Sequence, residues 1–231
     1  MSPSDPLILA FDTSAAHCAA ALLLGDRVLA SQTHDMTRGQ GEHLMPLLQN
    51  MLQDQKLDWA DLDLIGVGIG PGNFTGIRIS VAAARGLAFG LGVPTIGVSN
   101  FEVMRGPNSL HDLDPQIVSL AAPRNAHYLQ YFEGGRPVGP PHQVSPNSED
   151  MPDFPPPLPP IRGHNAHDVS SNMTHPGPCI EARMSDVAQT IGKIALAHWR
   201  SGERTPPRPA PLYVRAADAA PARDTPPVIL D

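Results

Sequence analysis

The fold is decided by the stretch LIGVGIGPGNFTGIRISVAAARGLAFGL, which occupies residues 64–91. Its first part, Leu64 to Ile69, is a short apolar run typical of a buried strand, and a glycine-rich loop follows it. The sequence then predicts a helix over about residues 77–90 and another strand from Val93 to Val98. Strands that alternate with helices in this way predict an α/β layer architecture.

The residues before this stretch predict three strands and one helix. Short apolar segments at residues 7–11, 17–24 and 28–31 predict an antiparallel meander. Apolar residues then recur at the spacing of one helical face, at Leu44, Leu47, Leu48, Met51 and Leu52. Pro46 fits this helix only in its first turn or at a kink.

Charge excludes one class of function. The 231 residues, enough for one or two domains, contain 16 Lys and Arg against 23 Asp and Glu, a net charge of −7. A protein that binds nucleic acid by itself usually has a basic face, and no cluster of Lys or Arg occurs in this sequence. We therefore expect no autonomous binding of tRNA or DNA.

The sequence also predicts a cytoplasmic protein without a membrane span. No apolar run approaches the roughly 18–20 residues that cross a bilayer. The first six residues carry no basic side chain before the apolar segment, so they do not resemble a secretory signal. The two cysteines, Cys18 and Cys179, cannot form a disulfide framework, and we expect both to be reduced and structural.

The second half of the chain has weaker signals. Residues 116–122 and 127–133 predict two strands joined by a turn near Arg124 and Asn125. Residues 137–160 are too rich in proline for a helix or a central strand, so we expect an extended or mobile surface segment. A last helix is predicted over residues 186–199, with Ser185 as its N-cap.

Motifs for catalysis or metal binding are not found in the sequence. The glycine-rich loop lacks the lysine and the spacing of the known phosphate-binding motifs, although a helix that begins near Thr75 offers backbone N–H groups to an anion. The pair His164 and His167 lacks the context of a zinc site, and no nucleophile motif occurs. We predict no catalytic residue and no metal ligand. The candidate contacts to a nucleotide or an anion are Asp12, Thr13, Gly72 and Thr75, with a turn-capping role as the alternative for Asp12.

The helix of residues 77–91 is apolar or small around most of its circumference. Its only clearly polar side chains are those of Arg78, Ser80 and Arg85. Such a helix must be covered on more than one side. The second cover comes either from another protein chain or from the first helix of the same chain, and the sequence leaves both open.

Several segments together carry a resemblance to a known family. They are Leu9-Ala10-Phe11-Asp12-Thr13-Ser14, Glu42-His43-Leu44-Met45-Pro46-Leu47-Leu48, GIGPGNFTGIR at 68–78, Gly86-Leu87-Ala88, and VPTIGVS at 93–99. In this order and spacing they closely resemble the TsaB family, the dimerisation subunits of the bacterial complex that forms threonylcarbamoyladenosine in tRNA. The resemblance covers about residues 7–104, and Pro211-Leu212-Tyr213-Val214-Arg215 looks like the family's late P-x-Y-x-R segment.

This resemblance implies a fold and a division of the chain. It implies an actin-like ATPase (ASKHA, ribonuclease-H-like) fold of two lobes, the second reduced. Residues 1–104 would form the first lobe with its partner-binding helices, and residues 105–231 the second lobe with the proline-rich segment. In the paralogous catalytic subunit TsaD, paired histidines that bind metal follow the corresponding strand, whereas residues 99–104 of this chain contain no such ligand.

The resemblance also implies a function and partners. We expect a non-catalytic subunit that binds a TsaD-like catalytic subunit together with a TsaE-like ATPase, that dimerises when alone, and that meets tRNA only through the complex. No cofactor of its own is expected, apart from ATP or ADP at the joint with the catalytic partner. The alternatives are an ATPase or phosphotransferase of the same fold class and a peptidase. The predicted partner surface consists of Leu44, Leu47, Leu48, Met51, Ile77, Arg78, Val81 and Arg85.

Overall fold

Two five-stranded sheets form the two lobes of the molecule. The structure, a computed structural model, describes residues 5–145, 151–154, 156–202 and 207–214. Predictions that concern residues 146–150 and 155 of the proline-rich segment, or Arg215, fall outside the described residues.

The first sheet has the strand order β3-β2-β1-β4-β5. Its strands are β1 (Leu7–Asp12), β2 (His17–Leu24), β3 (Arg27–Asp35), β4 (Leu64–Gly68) and β5 (Thr95–Val98). The first three are antiparallel neighbours, and β4 and β5 continue the sheet parallel to β1. The predicted meander and the α/β architecture are confirmed.

Helices cover both faces of this sheet. They are α1 (Gln40–Asp54) and α2 (Phe74–Leu91) on one face and α5 (Val187–Arg200) on the other. Because side chains alternate along a strand, Leu9 and Phe11 of β1 pack in the core with α1, while Ile8 and Ala10 pack with α5. The face of α5 that joins this core carries Ala188, Ile191, Ile194 and Ala195.

Two predicted helix boundaries need correction. Of the two places that the sequence allows for Pro46, the first turn of α1 is excluded, since that helix already begins at Gln40. The residue that precedes α5 is Asp186, in a left-handed conformation, and not Ser185. The helix α2 begins at Phe74, three residues earlier than predicted, because the side chain of Asn73 accepts the N–H groups of the first turn.

The second sheet has the strand order β10-β9-β6-β7-β8. Its strands are β6 (Gln116–Ala121), β7 (His127–Glu133), β8 (Arg136–Val144), β9 (Ile161–Gly163) and β10 (Cys179–Glu181). The predicted pairing of β6 with β7 is confirmed, with Arg124 and Asn125 at positive φ in the turn. The prolines of β8 lie in an edge strand, where a missing N–H is tolerated. The short helix α4 (Ala166–Ser171) packs on one face of this sheet.

A short helix, α3 (Asn100–Arg105), connects the two lobes and was not predicted. Ser99 and Glu102 form a capping box that begins it. Its residues Phe101 and Met104 pack against Val118, Leu120 and Phe132 of the second sheet. The lobes are joined again by α5, which comes from the 105–231 part of the chain and packs on the first sheet.

Candidate functional site

Asp12 ends β1 and is one of the four candidate contacts to a nucleotide or an anion. Its side chain is fully buried, and its Oδ2 accepts the N–H of Ser14 at 3.0 Å and the hydroxyl of Ser14 at 2.9 Å. The Nε2 of His17 donates to the same oxygen at 2.7 Å. Oδ2 thus caps the turn after β1, the alternative role that the sequence left open for Asp12.

The other oxygen of Asp12, Oδ1, has no hydrogen-bond partner among the residues described. It faces Gly68 of β4 so closely that a Cβ at Gly68 would overlap it. Oδ1 is thus buried without a partner among the described residues, whereas Oδ2 is in contact with Ser14 and His17.

The glycine-rich loop closes over the end of β1. The N–H of Asn73 donates to the carbonyl of Ser14 at 2.6 Å, and the hydroxyl of Thr13 donates to the carbonyl of Gly76 at 2.6 Å. A Cβ at Gly72 or Gly76 would overlap the carbonyl oxygens of Ser14 and Thr13, respectively, so this close approach requires glycine at both positions.

The four predicted nucleotide contacts therefore separate into two groups. Asp12 and Thr13 are completely buried at the end of β1, and Gly72 lies against the carbonyl of Ser14 in the loop above them. Thr75 is exposed on the first turn of α2, and its N–H donates to the side chain of Asn73.

Cys18 lies in β2 beside this buried carboxylate. Burial, and then the negative charge of Asp12, raise the pKa of the Cys18 thiol to about 11. The thiol is therefore protonated near neutral pH and is a poor nucleophile. Cys18 and Cys179 are both free cysteines.

Most of the predicted partner surface is buried inside the first lobe. Six of the eight residues are at most 5% exposed and belong to the lobe's own core or line it, namely Leu44, Leu47, Leu48, Met51, Ile77 and Val81. A side chain covered by its own domain cannot also contact a second protein while the domain is folded. For these six residues the prediction is wrong, and only Arg78 and Arg85 are exposed.

The exposed side of α2 carries different residues. Phe89 is 91% exposed and Phe74 is 40% exposed, and Ala82 lies between them on the same side. Sequence reasoning missed both phenylalanines. Helical spacing alone does not find them, because Phe74 precedes the buried Val81 by seven residues and so lies on nearly the same side of the helix. Met45, 40% exposed on α1, adds to the apolar surface of these two helices.

A C-terminal strap, residues 207–214, reaches the first turn of α2. The N–H of Leu212 donates to the carbonyl of Ile69 at 2.8 Å. The hydroxyl of Tyr213 accepts the Nε–H of Arg78 at 2.8 Å, and the guanidinium of Arg78 stacks on Phe74. The strap therefore fixes the side chains that border the exposed phenylalanine face.

We give the name α2 face to five exposed residues that lie along one side of α2, together with the strap tyrosine. Its members are Phe74, Arg78, Ala82, Arg85, Phe89 and Tyr213. By length and composition α2 could also span a membrane. Its other side, however, packs through Ile77, Val81 and Ala84 within the first lobe, as expected for a helix of an α/β domain.

The histidines singled out from the sequence have different neighbours in the structure. The ring of His164 lies near that of His127, with centroids 6.1 Å apart, and the backbone N–H of His167 donates to the carboxylate of Glu181 at 3.0 Å. Within the described ranges, no group of three or more His, Cys, Asp or Glu side chains is arranged to hold a metal ion.

Comparison with known proteins extends these observations. A family model described as TsaD, tRNA N6-adenosine threonylcarbamoyltransferase, matches residues 27–136. An uncharacterised protein of Mycobacterium tuberculosis is 30% identical over 221 residues, which is 93% of this chain and 94% of that protein. The tRNA threonylcarbamoyladenosine biosynthesis protein TsaB of Escherichia coli is 35% identical over 97 residues, 42% of each chain, and that of Haemophilus influenzae is 33% identical over 128 residues, about half of each chain.

Solved structures match over nearly the whole chain. YeaZ from Pseudomonas aeruginosa superposes with a TM-score of 0.66 at 25% identity and covers 86% of this chain and 94% of its own. A second structure, of a protein with similarity to the peptidase YeaZ from the same organism, gives a TM-score of 0.70 at 25% identity and covers 91% of this chain and all of its own.

The two lobes, with a meander continued by parallel strands in the first, define a protein of the actin-like ATPase fold class. The matches in sequence and structure identify the family within that class. The chain belongs to the TsaB family.

Proposed function

We propose that this protein is a non-catalytic subunit in tRNA threonylcarbamoyladenosine biosynthesis, and that it binds a TsaD-like catalytic subunit through the α2 face. The observation that carries the proposal is the 91% exposure of Phe89 on a helix whose other side is already buried. Membership of the TsaB family and the match of residues 27–136 to the TsaD model support the choice of pathway and partner.

The chemistry of the α2 face suits a protein partner. Covering a fully exposed phenylalanine is worth about 1.5–3 kcal/mol. Arg78 and Arg85 beside the apolar residues would form a polar rim, and arginine and aromatic side chains are enriched in protein interfaces. A stable interface of about 1,600 Å² would need more surface than α2 alone. The neighbouring helix α1 also carries an exposed apolar side chain, Met45.

The contacts made at the end of β1 are consistent with a supporting role for this protein in place of catalysis. There the carboxylate of Asp12 contacts Ser14 and His17, and the loop that follows β4 fills the adjoining space. The same contacts disfavour an ATPase or phosphotransferase that uses Asp12. The high pKa of the Cys18 thiol disfavours a cysteine peptidase at that position.

The remaining partners follow from the same proposal. We propose a cytoplasmic complex that also contains a TsaE-like ATPase, and contact with tRNA only through that complex, which suits a net charge of −7. ATP or ADP at the joint between the subunits would lie near the N-termini of α1 and α2, where Arg38 and Thr75 line a cavity. Without the partner, the α2 face would cover itself in a homodimer.

Co-purification with a tagged TsaD-like subunit tests the central interaction. The variant Phe89→Glu places a charge in the apolar surface and should reduce the affinity at least tenfold without lowering the melting temperature. The matched control is Leu113→Glu, which changes another exposed apolar residue outside the α2 face. Equal retention of the wild type and Phe89→Glu would contradict the proposed surface.

Two solution measurements test the alternatives. Sedimentation over a range of concentrations should show self-association of the isolated wild-type chain that is weakened in Phe89→Glu. Calorimetric titration with Mg-ATP should show no binding that depends on Asp12. Tight binding that disappears in Asp12→Ala would favour the ATPase alternative.

A further inference from the structure

Thr13, Ser14, Asn73, Gly76 and Asn100 form a hydrogen-bonded cluster that ties the start of α2 to β1 and α3, and all of them except Asn73 are buried. We name these five residues the β1 clasp. We propose that Thr13 and Asn100 are positioning residues that hold the first turn of α2 in the orientation its partner requires. This inference rests on the proposed function, because it assumes that the α2 face is the contact surface.

The clasp joins three elements that are distant in the sequence. Thr13 donates from its hydroxyl to the carbonyl of Gly76 in the first turn of α2, at 2.6 Å. Asn73 donates from its N–H to the carbonyl of Ser14 and accepts, through its Oδ1, the N–H of Gly76 at 3.0 Å. The turn after β1 therefore donates one hydrogen bond to the start of α2 and accepts another from the residue before α2.

Asn100, the first residue of α3, completes the cluster. Its Nδ2 donates to the hydroxyl of Ser14 at 3.0 Å and to the carbonyl of Pro71 at 2.9 Å. Its backbone N–H donates to the carbonyl of Gly70 at 2.7 Å. The loop that leads into α2 is thus bonded at both ends, by Asn100 near Gly70 and by Ser14 at Asn73.

Because most of the clasp is buried, the loss of one of its hydrogen bonds should destabilise the start of α2. Thr13 is completely buried, and Ser14 and Asn100 are at most 4% exposed. When a buried polar group loses its hydrogen-bond partner, no water replaces that partner, and the protein is destabilised by the full desolvation penalty of the group. Close contact of Gly76 with the carbonyl of Thr13 leaves the helix little room to shift.

The opposite end of α2 is held differently, by apolar packing of Leu87, Ala88 and Leu91 against the core of the first lobe. Phe74 and Arg78 lie at the other end, in the first turn and directly after it. The direction in which these two side chains are presented therefore depends on the first turn, where the clasp acts.

Thr13→Val tests the role of the hydroxyl with little change in shape. We expect amide hydrogen exchange in residues 75–78 to accelerate at least fivefold, and the affinity for a purified TsaD-like subunit to fall by about five- to tenfold. Thr13→Ser, which keeps the hydroxyl, should restore both values. Asn100→Ala should have effects in the same direction. Thr95→Val replaces another buried threonine, outside the clasp, and should change neither value.

The outcomes separate this inference from the proposed function. If Thr13→Val lowers the melting temperature but binds the partner with wild-type affinity, the clasp is only structural and the inference is wrong. If exchange in residues 75–78 is unchanged, Thr13 does not hold the first turn. If the wild type itself does not bind the TsaD-like subunit, the proposed function fails first, and the exchange result alone reports on the clasp.

Discussion

The guanidinium of Arg78 lies 3.7 Å from the centroid of the Phe74 ring, four residues earlier on α2. This is a cation–π contact on the surface of the molecule, and the Nε–H of Arg78 also donates to the hydroxyl of Tyr213. These two contacts already order the long side chain of Arg78 in the isolated protein. Less rotamer freedom is therefore lost when a partner binds. Arg78 is therefore preorganised at the border of the α2 face.

Arg78→Ala should weaken binding of the TsaD-like subunit by about 1–2 kcal/mol, because it removes an ordered interfacial arginine. The stability of the isolated chain should change by less than about 0.5 kcal/mol, since the side chain is exposed. Calorimetric titration and chemical denaturation measure the two quantities. Arg136→Ala, at an exposed position of β8, is the control, and an equal loss of affinity in both variants would contradict a specific role for Arg78.

Leu48→Asp should unfold the first lobe. Leu48 is fully buried in the core between α1 and the sheet, and an unpaired carboxylate there, with the lost packing, should cost more than about 3 kcal/mol. Phe89→Asp, at a position 91% exposed, should leave the melting temperature within a few degrees of the wild type. Thermal melts followed by circular dichroism would test both. A stable Leu48→Asp protein that has lost only partner binding would restore the interface predicted from the sequence.

Replacement of two glycines of α2 by alanine should change the stability of the protein in opposite directions. Gly76→Ala would press a Cβ onto the carbonyl of Thr13 and should destabilise the protein by more than about 2 kcal/mol. Gly86→Ala enters open space in a helix interior and should stabilise it by roughly 0.5–1 kcal/mol. Urea denaturation reports both changes. If Gly76→Ala is as stable as the wild type, the loop does not close on β1 as described.

His127 should make stability fall in mildly acidic solution. Burial, and then the proximity of His164, lower the pKa of His127 below its ordinary value of 6.5. The unfolded chain therefore binds this proton more readily than the folded one, so the stability is complete above about pH 6.5 and is lost as the pH falls through the lower folded pKa. His127→Gln should reduce the slope of unfolding free energy against pH below 6.5 relative to the wild type, whereas His142→Gln, at an exposed position, should not. An unchanged slope in His127→Gln would contradict this role.

Sequence patterns identify the elements of the first lobe because their periodicity is local. The spacing of Leu44, Leu48 and Met51 correctly marks the apolar side of α1. The pattern does not say what covers that side, since coverage depends on residues distant in the chain. The six buried residues were for this reason assigned to a partner, whereas their own sheet covers them.

Other features were missed for different physical reasons. The helix α3 has six residues, too few for a helical period to emerge, although the spacing of Ser99 and Glu102 is that of a capping box. The closure of the loop over β1 depends on contacts such as Thr13 with Gly76, 63 residues apart. No local pattern predicts such a contact. The turn-capping role of Asp12 is local and could be foreseen, whereas the long-range hydrogen bond of Thr13 could not.

The most direct test of the account compares hydrogen–deuterium exchange of the full chain with and without a purified TsaD-like subunit. We predict a complex in which the peptide that spans Phe74–Leu91 gains the largest protection, while β8 in the second lobe is unchanged. A complex that leaves Phe74–Leu91 unprotected, or the absence of any complex with the wild-type chain, would contradict the proposed role of α2.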